Sequence, residues 1–172
     1  MTSQILIVLC GLPGSGKSTL ADGLSRGLSA PVFSVDPIEA GMRRMGLAET
    51  QTGLAAYGVA QTLADEHLRL GHSVIIDAVN PVEAPRAAWR NLAAKYRVDL
   101  KIIECICADE TVHRRRIESR VRDIDGIRGI TWAEVQEGRR SEYEAWTEPR
   151  LVLDTSTKSA DQLIAEALTY LR

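Results

Sequence analysis

The sequence predicts one α/β domain built on a parallel sheet with helices on both faces. Three observations carry this. Short apolar runs alternate along the chain with stretches of helical periodicity, the pattern of parallel strands joined by right-handed crossovers. Three of those runs are dense in Ile and Val with little alternation, as expected of strands covered on both sides. A glycine-rich loop stands where the first run meets the first helix. The 172 residues, 45% hydrophobic and 26% charged, suit a single core.

The runs Ile5–Cys10, Val32–Val35, Ser73–Asp77, Leu100–Cys107 and Leu151–Leu153 read as strands. Between them, Lys17–Leu28, Pro37–Met45, Leu54–Leu70, Pro81–Tyr96, Glu110–Val121, Trp132–Trp146 and Ala160–Leu171 read as helices. Local chemistry marks several ends. Thr131 with Glu134 and Ser159 with Gln162 fit capping boxes, in which each side chain answers the other's backbone N–H. Asp36-Pro-Ile-Glu39 and Asn80-Pro-Val-Glu83 fit helix starts with Asp36 and Asn80 as caps, Pro37 and Pro81 opening the helices, and Gly71 closes one. Trp89, Trp132 and Trp146 are expected on apolar helix faces. Arg122–Ile130, with its two glycines, reads as a mobile loop.

A formal charge of −2 provides no general attraction to nucleic acid or anionic lipid. Cys10, Cys105 and Cys107 fit neither a disulfide framework nor a metal site, and are expected as buried apolar residues in a reducing compartment. No run reaches the roughly 18 residues of a membrane helix, and the apolar start lacks the basic flank of a signal peptide. A cytoplasmic protein with no membrane partner is the expectation.

Gly11-Leu12-Pro13-Gly14-Ser15-Gly16-Lys17-Ser18-Thr19 matches G-x-x-x-x-G-K-[ST] in full. Glycines there let the backbone turn tightly enough for successive amide hydrogens to converge on phosphate oxygens, and the following helix adds its positive end. Lys17 is expected at the β- and γ-phosphates, the Ser18 hydroxyl at Mg²⁺ and Thr19 near the α-phosphate. Asp77 ends an apolar strand in the Walker-B manner, and its carboxylate is expected to hold Mg²⁺ through water beside Ser18. An apolar strand before the loop and an amphipathic helix after it supply the context that a chance glycine turn would lack. No Asn-Lys-x-Asp guanine motif is present, and Asp123-Ile-Asp-Gly126 lies in the wrong place for a GTPase switch.

With Ser34-Val-Asp36, Val74-Ile-Ile-Asp77-Ala-Val-Asn80 and Thr131-Trp-Ala-Glu-Val135, the chain resembles the small P-loop kinases over essentially its whole length. These include the nucleotide, gluconate, shikimate and adenylylsulfate kinases, chloramphenicol phosphotransferase, zeta-type toxins and polynucleotide 5′-kinase. The segments look most like compact ATP-binding proteins labelled AAA family ATPase or zeta-toxin-like kinase. The resemblance implies the three-layer P-loop NTPase fold, a five-stranded parallel sheet of order 2-3-1-4-5, and a small lid over about residues 110–130. It implies ATP and Mg²⁺ as cofactors and transfer of the γ-phosphate to a small-molecule hydroxyl. Asp36 would orient the acceptor, a use compatible with capping. Arg116 would stack near adenine or touch phosphate, Arg120 would meet the γ-phosphate, and Asp154 and Thr155 would lie at the adenine. Arg114, Arg115 and Arg122 read as a solvated face, while Arg43 and Arg44 suit either an acidic substrate group or plain surface. Two other functions stay open, an ATP-binding switch or slow ATPase acting through a protein partner, and a polynucleotide 5′-hydroxyl kinase.

Overall fold

The computed structural model describes residues 4–119, 129–141 and 143–172. Arg120, and all of the glycine-bearing loop except residues 129 and 130, lie outside them.

Five strands form one parallel sheet in the order β2-β3-β1-β4-β5, as expected. They are β1 (Ile5–Cys10), β2 (Val32–Ser34), β3 (Val74–Asp77), β4 (Asp99–Ile106) and β5 (Leu151–Asp154). Seven helices appear among the described residues: α1 (Lys17–Leu28), α2 (Val35–Arg44), α3 (Glu49–Arg69), α4 (Glu83–Tyr96), α5 (Glu110–Ser119), α6 (Trp132–Ser141) and α7 (Ala160–Tyr170).

Every residue of β1 is buried, and its alternate side chains feed two separate cores. Ile5, Ile7 and Leu9 pack with Leu20, Leu24 and Leu163 from α1 and α7. Leu6 and Val8 pack with Ala60, Ala64 and Trp89 from α3 and α4. Both faces are therefore apolar, which is why the run shows no alternation.

Register sets the site. Leu9 of β1 lies opposite Asp77 of β3, and Ser34 of β2 also pairs with Asp77. The end of β1, where the glycine loop starts, is thus level with the Asp77 carboxylate at the carboxyl edge of the sheet.

Several boundaries differ from the expectation. α2 begins at Val35 with Ser34 in the cap position, so Asp36 is not the cap but stands in the first turn with Pro37 behind it. Proline is tolerated there because first-turn amides have no intrahelical acceptor. α3 begins at Glu49, five residues before the first apolar position expected, and Gln51 Oε1 accepts from Ala48 N at 3.1 Å to close that end. α4 begins only at Glu83, with Val82 in the cap position and Pro81 outside. Asn80 is not a cap either: it adopts φ 52 and is fully buried. Its amide nitrogen donates to Leu9 O at 3.1 Å, its Oδ1 accepts from Trp89 Nε1 at 2.8 Å, and its N–H reaches Tyr57 Oη at 3.0 Å. α6 ends at Ser141 rather than Trp146. Trp146 belongs to an irregular segment, which Arg86 holds by donating to Glu144 O at 2.7 Å and Ala145 O at 3.0 Å. The Arg86 guanidinium lies 4.0 Å from the Trp146 ring centroid. Both expected capping boxes form: Thr131 N donates to Glu134 Oε2 at 2.7 Å and Ser159 N to Gln162 Oε1 at 2.9 Å. All three cysteines are free and buried.

Candidate functional site

The glycine loop has the backbone shape of an anion cradle. Its last glycine, Gly16, has φ 92 and stands at the cap position of α1, where no side chain caps the helix and no acid occupies the first turn. The opening N–H groups of α1, with their positive partial charge, are left to whatever lies in front of them. Gly11, at φ 127, is obligatory for a second reason: a Cβ there would collide with the Cys105 carbonyl oxygen.

In front of the loop lies a cavity of about 640 Å³. Pro13, Gly14, Gly16, Lys17, Ser18 and Thr19 line one wall, with Asp77, Ser34 and Asp36 on another and Arg116, Thr155 and Lys158 on a third. Residues far apart in sequence that were expected to act together therefore share one space. Gly11, Leu12 and Ser15 stand on the opposite side of the loop, along a smaller cavity of about 250 Å³. Ser15 Oγ is buried there without a hydrogen-bond partner.

Lys17 is 8% exposed, and its ammonium donates to Gly11 O at 2.8 Å and Leu12 O at 3.0 Å. Two of its three hydrogens are engaged by the loop itself, which fixes the charge at the floor of the cavity. Ser18 Oγ donates to Asp77 Oδ2 at 2.9 Å, and Ser34 Oγ donates to the same oxygen at 3.1 Å. Both hydroxyls meet the same oxygen of a buried carboxylate that lines the cavity. This donor set fits magnesium, which takes hard oxygen ligands and usually leans on one or two carboxylates plus substrate oxygens. Among the described residues no cluster of three or more His, Cys, Asp or Glu offers an all-protein metal cage; Ser18 and Asp77 could hold an ion that draws its other ligands from substrate and water.

Asp36 lines the cavity from the first turn of α2. Two turns further along α2, Arg43 is occupied: it donates to Glu39 Oε1 at 2.6 Å and pairs with Glu49 at 3.2 Å. That network removes Arg43 from the list of groups for an acidic substrate. Arg116 reaches the cavity, but both arms of its guanidinium rest on Thr155, at 2.7 Å to Oγ1 and 2.8 Å to the carbonyl. Thr155 Oγ1 in turn bonds Ser15 O at 2.9 Å. Asp154 is absent from the cavity wall. Its Oδ1 accepts from Ser156 N at 3.0 Å and Ala108 N at 3.2 Å, shaping the loop after β5, and those bonds hold its carboxyl below the usual range against the opposing effect of burial, the largest single influence on it.

His113 was not anticipated at the site. It is 1% exposed, and its Nε2 lies 2.8 Å from the Pro13 carbonyl, while Arg139 Nη2 is 3.3 Å from Nδ1. Burial pushes its pKa down, the Pro13 carbonyl opposes this, and Arg139, Arg116 and Lys17 add to it. Its seven-residue spacing from Arg120 sets it on the same general side of the expected helix, but nothing local marks the contact with Pro13, which spans 100 residues.

Comparison with known proteins places this geometry. An adenylyl-sulfate kinase of Prochlorococcus marinus is 28% identical over 179 residues, covering 98% of this chain and 83% of that one. An uncharacterized protein of Mycobacterium tuberculosis is 32% identical over 126 residues, which is 63% of this chain and 25% of the relative. The chain thus matches about a quarter of that relative's length. Among solved structures, a Chloroflexus aurantiacus protein proposed to be a kinase superposes with a TM-score of 0.80 at 22% identity over 100% of both chains. The APS kinase CysC of Mycobacterium tuberculosis, in complex with AMPPNP and APS, superposes with a TM-score of 0.73 at 22% identity over 99% of each. These structures share the fold, the three-layer architecture of the small P-loop kinases. A match of residues 6–142 to the AAA domain model AAA_33 takes in the cradle, Asp36, Asp77 and the arginine-bearing helix together, and the chain belongs to that family.

Proposed function

We propose that the protein is a phosphotransferase that uses ATP and Mg²⁺ and passes the γ-phosphate to a hydroxyl of a small molecule. The observation that carries this is the sharing of one cavity by Lys17, Asp77 and Asp36. Phosphoryl transfer needs positioning and charge neutralisation more than covalent chemistry, and the cavity supplies both.

The loop N–H groups and the first turn of α1 bind polyphosphate oxygens, and Lys17 offsets charge that gathers on the group in flight. Ser18 and Asp77 would hold a magnesium ion, which would supply positive charge to screen the phosphate oxygens from one another. Asp36, on the wall away from the loop, accepts the acceptor hydroxyl's hydrogen bond and orients its oxygen. Arg116 keeps the loop after β5 in place through Thr155, and Arg120 is assigned the γ-phosphate by resemblance. Closure of the lid region over the cavity would keep water from competing as acceptor.

Radiolabelled ATP incubated with pools of metabolites, aminoglycosides, nucleosides and oligonucleotides tests the reading; adenylyl sulfate, the acceptor named for a relative, belongs among them. Lys17→Ala should remove transfer while leaving the fold intact. Asp36→Asn should lose transfer by about 100-fold or more, the range of a positioned acid–base group, and still bind ATP. Transfer undiminished in a folded Asp36→Asn protein would remove Asp36 from the acceptor's side of the site, whereas ATP binding without transfer to any pool would point instead to an ATP-binding switch.

A further inference from the structure

We propose that His113 is a positioning residue of the cradle, one that aims the Gly14 N–H into the phosphate site by holding the Pro13 carbonyl on the outside of the loop. This deepens the nucleotide-site reading and rests on it.

A trans peptide is planar, so its C=O and N–H point in opposite directions. The Pro13–Gly14 peptide lies on the cavity wall. Its carbonyl is drawn 2.8 Å from His113 Nε2, behind the loop on the α5 side. The N–H of the same plane must then face the other way, toward the cavity. Without an outward anchor this peptide is free to rotate, because Gly14, at φ 77, resists rotation less than any other residue type.

The imidazole is built to donate. Arg139 presents a hydrogen to Nδ1 from 3.3 Å, and a guanidinium has no acceptor to offer, so Nδ1 must be the bare nitrogen and Nε2 must carry the proton. Trp132 meets the ring edge-on with centroids 5.2 Å apart, and Ile117 comes from the next turn of α5 to press on Gly14, where a Cβ would sit 2.6 Å from Ile117 Cδ1. A second anchor repeats the device two residues on. Thr155 Oγ1, held by Arg116, donates to Ser15 O at 2.9 Å and so fixes the Ser15–Gly16 peptide. His113 and Arg116 stand one turn apart on α5, so one helix sets two peptides of the cradle.

The test compares ATP and adenosine binding by calorimetry in the full chain and in His113→Leu and His113→Gln, with melting temperature measured alongside. His113→Leu should weaken ATP by about tenfold, the effect of one well-aligned hydrogen bond to an anion-binding loop, and leave adenosine within about twofold. His113→Gln, whose amide nitrogen stands where Nε2 does, should recover most of the ATP affinity. ATP bound by folded His113→Leu as tightly as by the native chain overturns the proposal, as does equal loss for ATP and adenosine. Failure of the native chain to bind ATP sinks the nucleotide site itself and is told apart by that control. Should His113→Leu not fold, imidazole ¹⁵N shifts of the native protein decide: a protonated Nε2 with a bare Nδ1 supports the proposal, and the opposite tautomer overturns it.

Discussion

Asp77 is the residue on which the charge balance of the cavity turns. Its carboxylate is 6% exposed and accepts from the Ser18 and Ser34 hydroxyls, and replacing it by an isosteric amide removes a charge without removing volume. On the proposed mechanism, Asp77→Asn should raise the magnesium concentration needed for half-maximal activity by about tenfold or more, as for other groups that orient a metal's surroundings. Titration of activity with MgCl₂ checks it, and an unchanged midpoint would remove Asp77 from the metal site. His113 makes a separate prediction about stability. Burial lowers its pKa in the folded chain, so below about pH 6.5 the unfolded chain binds a proton that the native imidazole refuses. Stability should therefore be fully present above that pH and decline as pH falls through it, by at most about 1.4 kcal/mol per pH unit for one such site. Denaturant titrations at several pH values, in native protein and His113→Gln, isolate this part, because the carboxylates contribute equally to both. Identical slopes in the two proteins would contradict it.

Among the elements, α7 and α4 show how differently two helix starts can be specified. Ser159 caps α7 with its own side chain, and Gln162 answers from within the first turn, so the start is written in four adjacent residues. Ser159→Ala should cost about 1 kcal/mol, measurable by thermal or chemical unfolding, with no change at the distant cradle. For α4, the pattern Asn80-Pro-Val-Glu83 looks equally local and fails, because Asn80 is claimed by partners from three other elements: Tyr57 on α3, Trp89 on α4 and Leu9 on β1. An asparagine can serve as a cap or as a buried bridge, and long-range packing chose the second. α5 carries the same lesson at the site. Arg116 was expected at the cavity by resemblance, yet its hydrogen bonds go to Thr155, and its neighbour His113 contacts a loop 100 residues away.

At the scale of the molecule, two cores hold one sheet between them, and the carboxyl edge of that sheet gathers the loops that line the cavity. Trp89 joins the α3–α4 core to that edge, since its ring is buried at 1% exposure while its Nε1 donates to Asn80. Two terms in its energetics can be separated. Trp89→Ala should destabilise by about 3–5 kcal/mol through the cavity it leaves. Trp89→Phe should cost about 1–3 kcal/mol, mainly from leaving the Asn80 oxygen without a donor. Urea unfolding of both variants checks the pair, and a Phe variant as stable as the native chain would show that the Asn80 bridge contributes little.

From residue order alone one could read the strand–cradle–helix unit, the succession of all five strands, both capping boxes and the strand-end acid at 77, because each rests on periodicity or on chemistry between near neighbours, whereas the acid at 36 was singled out by resemblance. Folding alone decided that Asn80 bridges rather than caps, that Arg43 is spent on Glu39 and Glu49, that Asp154 shapes its own loop, and that His113 lies behind Pro13. Those outcomes depend on which groups a parallel sheet brings within about 3 Å of one another, and such distances are set by crossovers tens of residues long that leave no local mark.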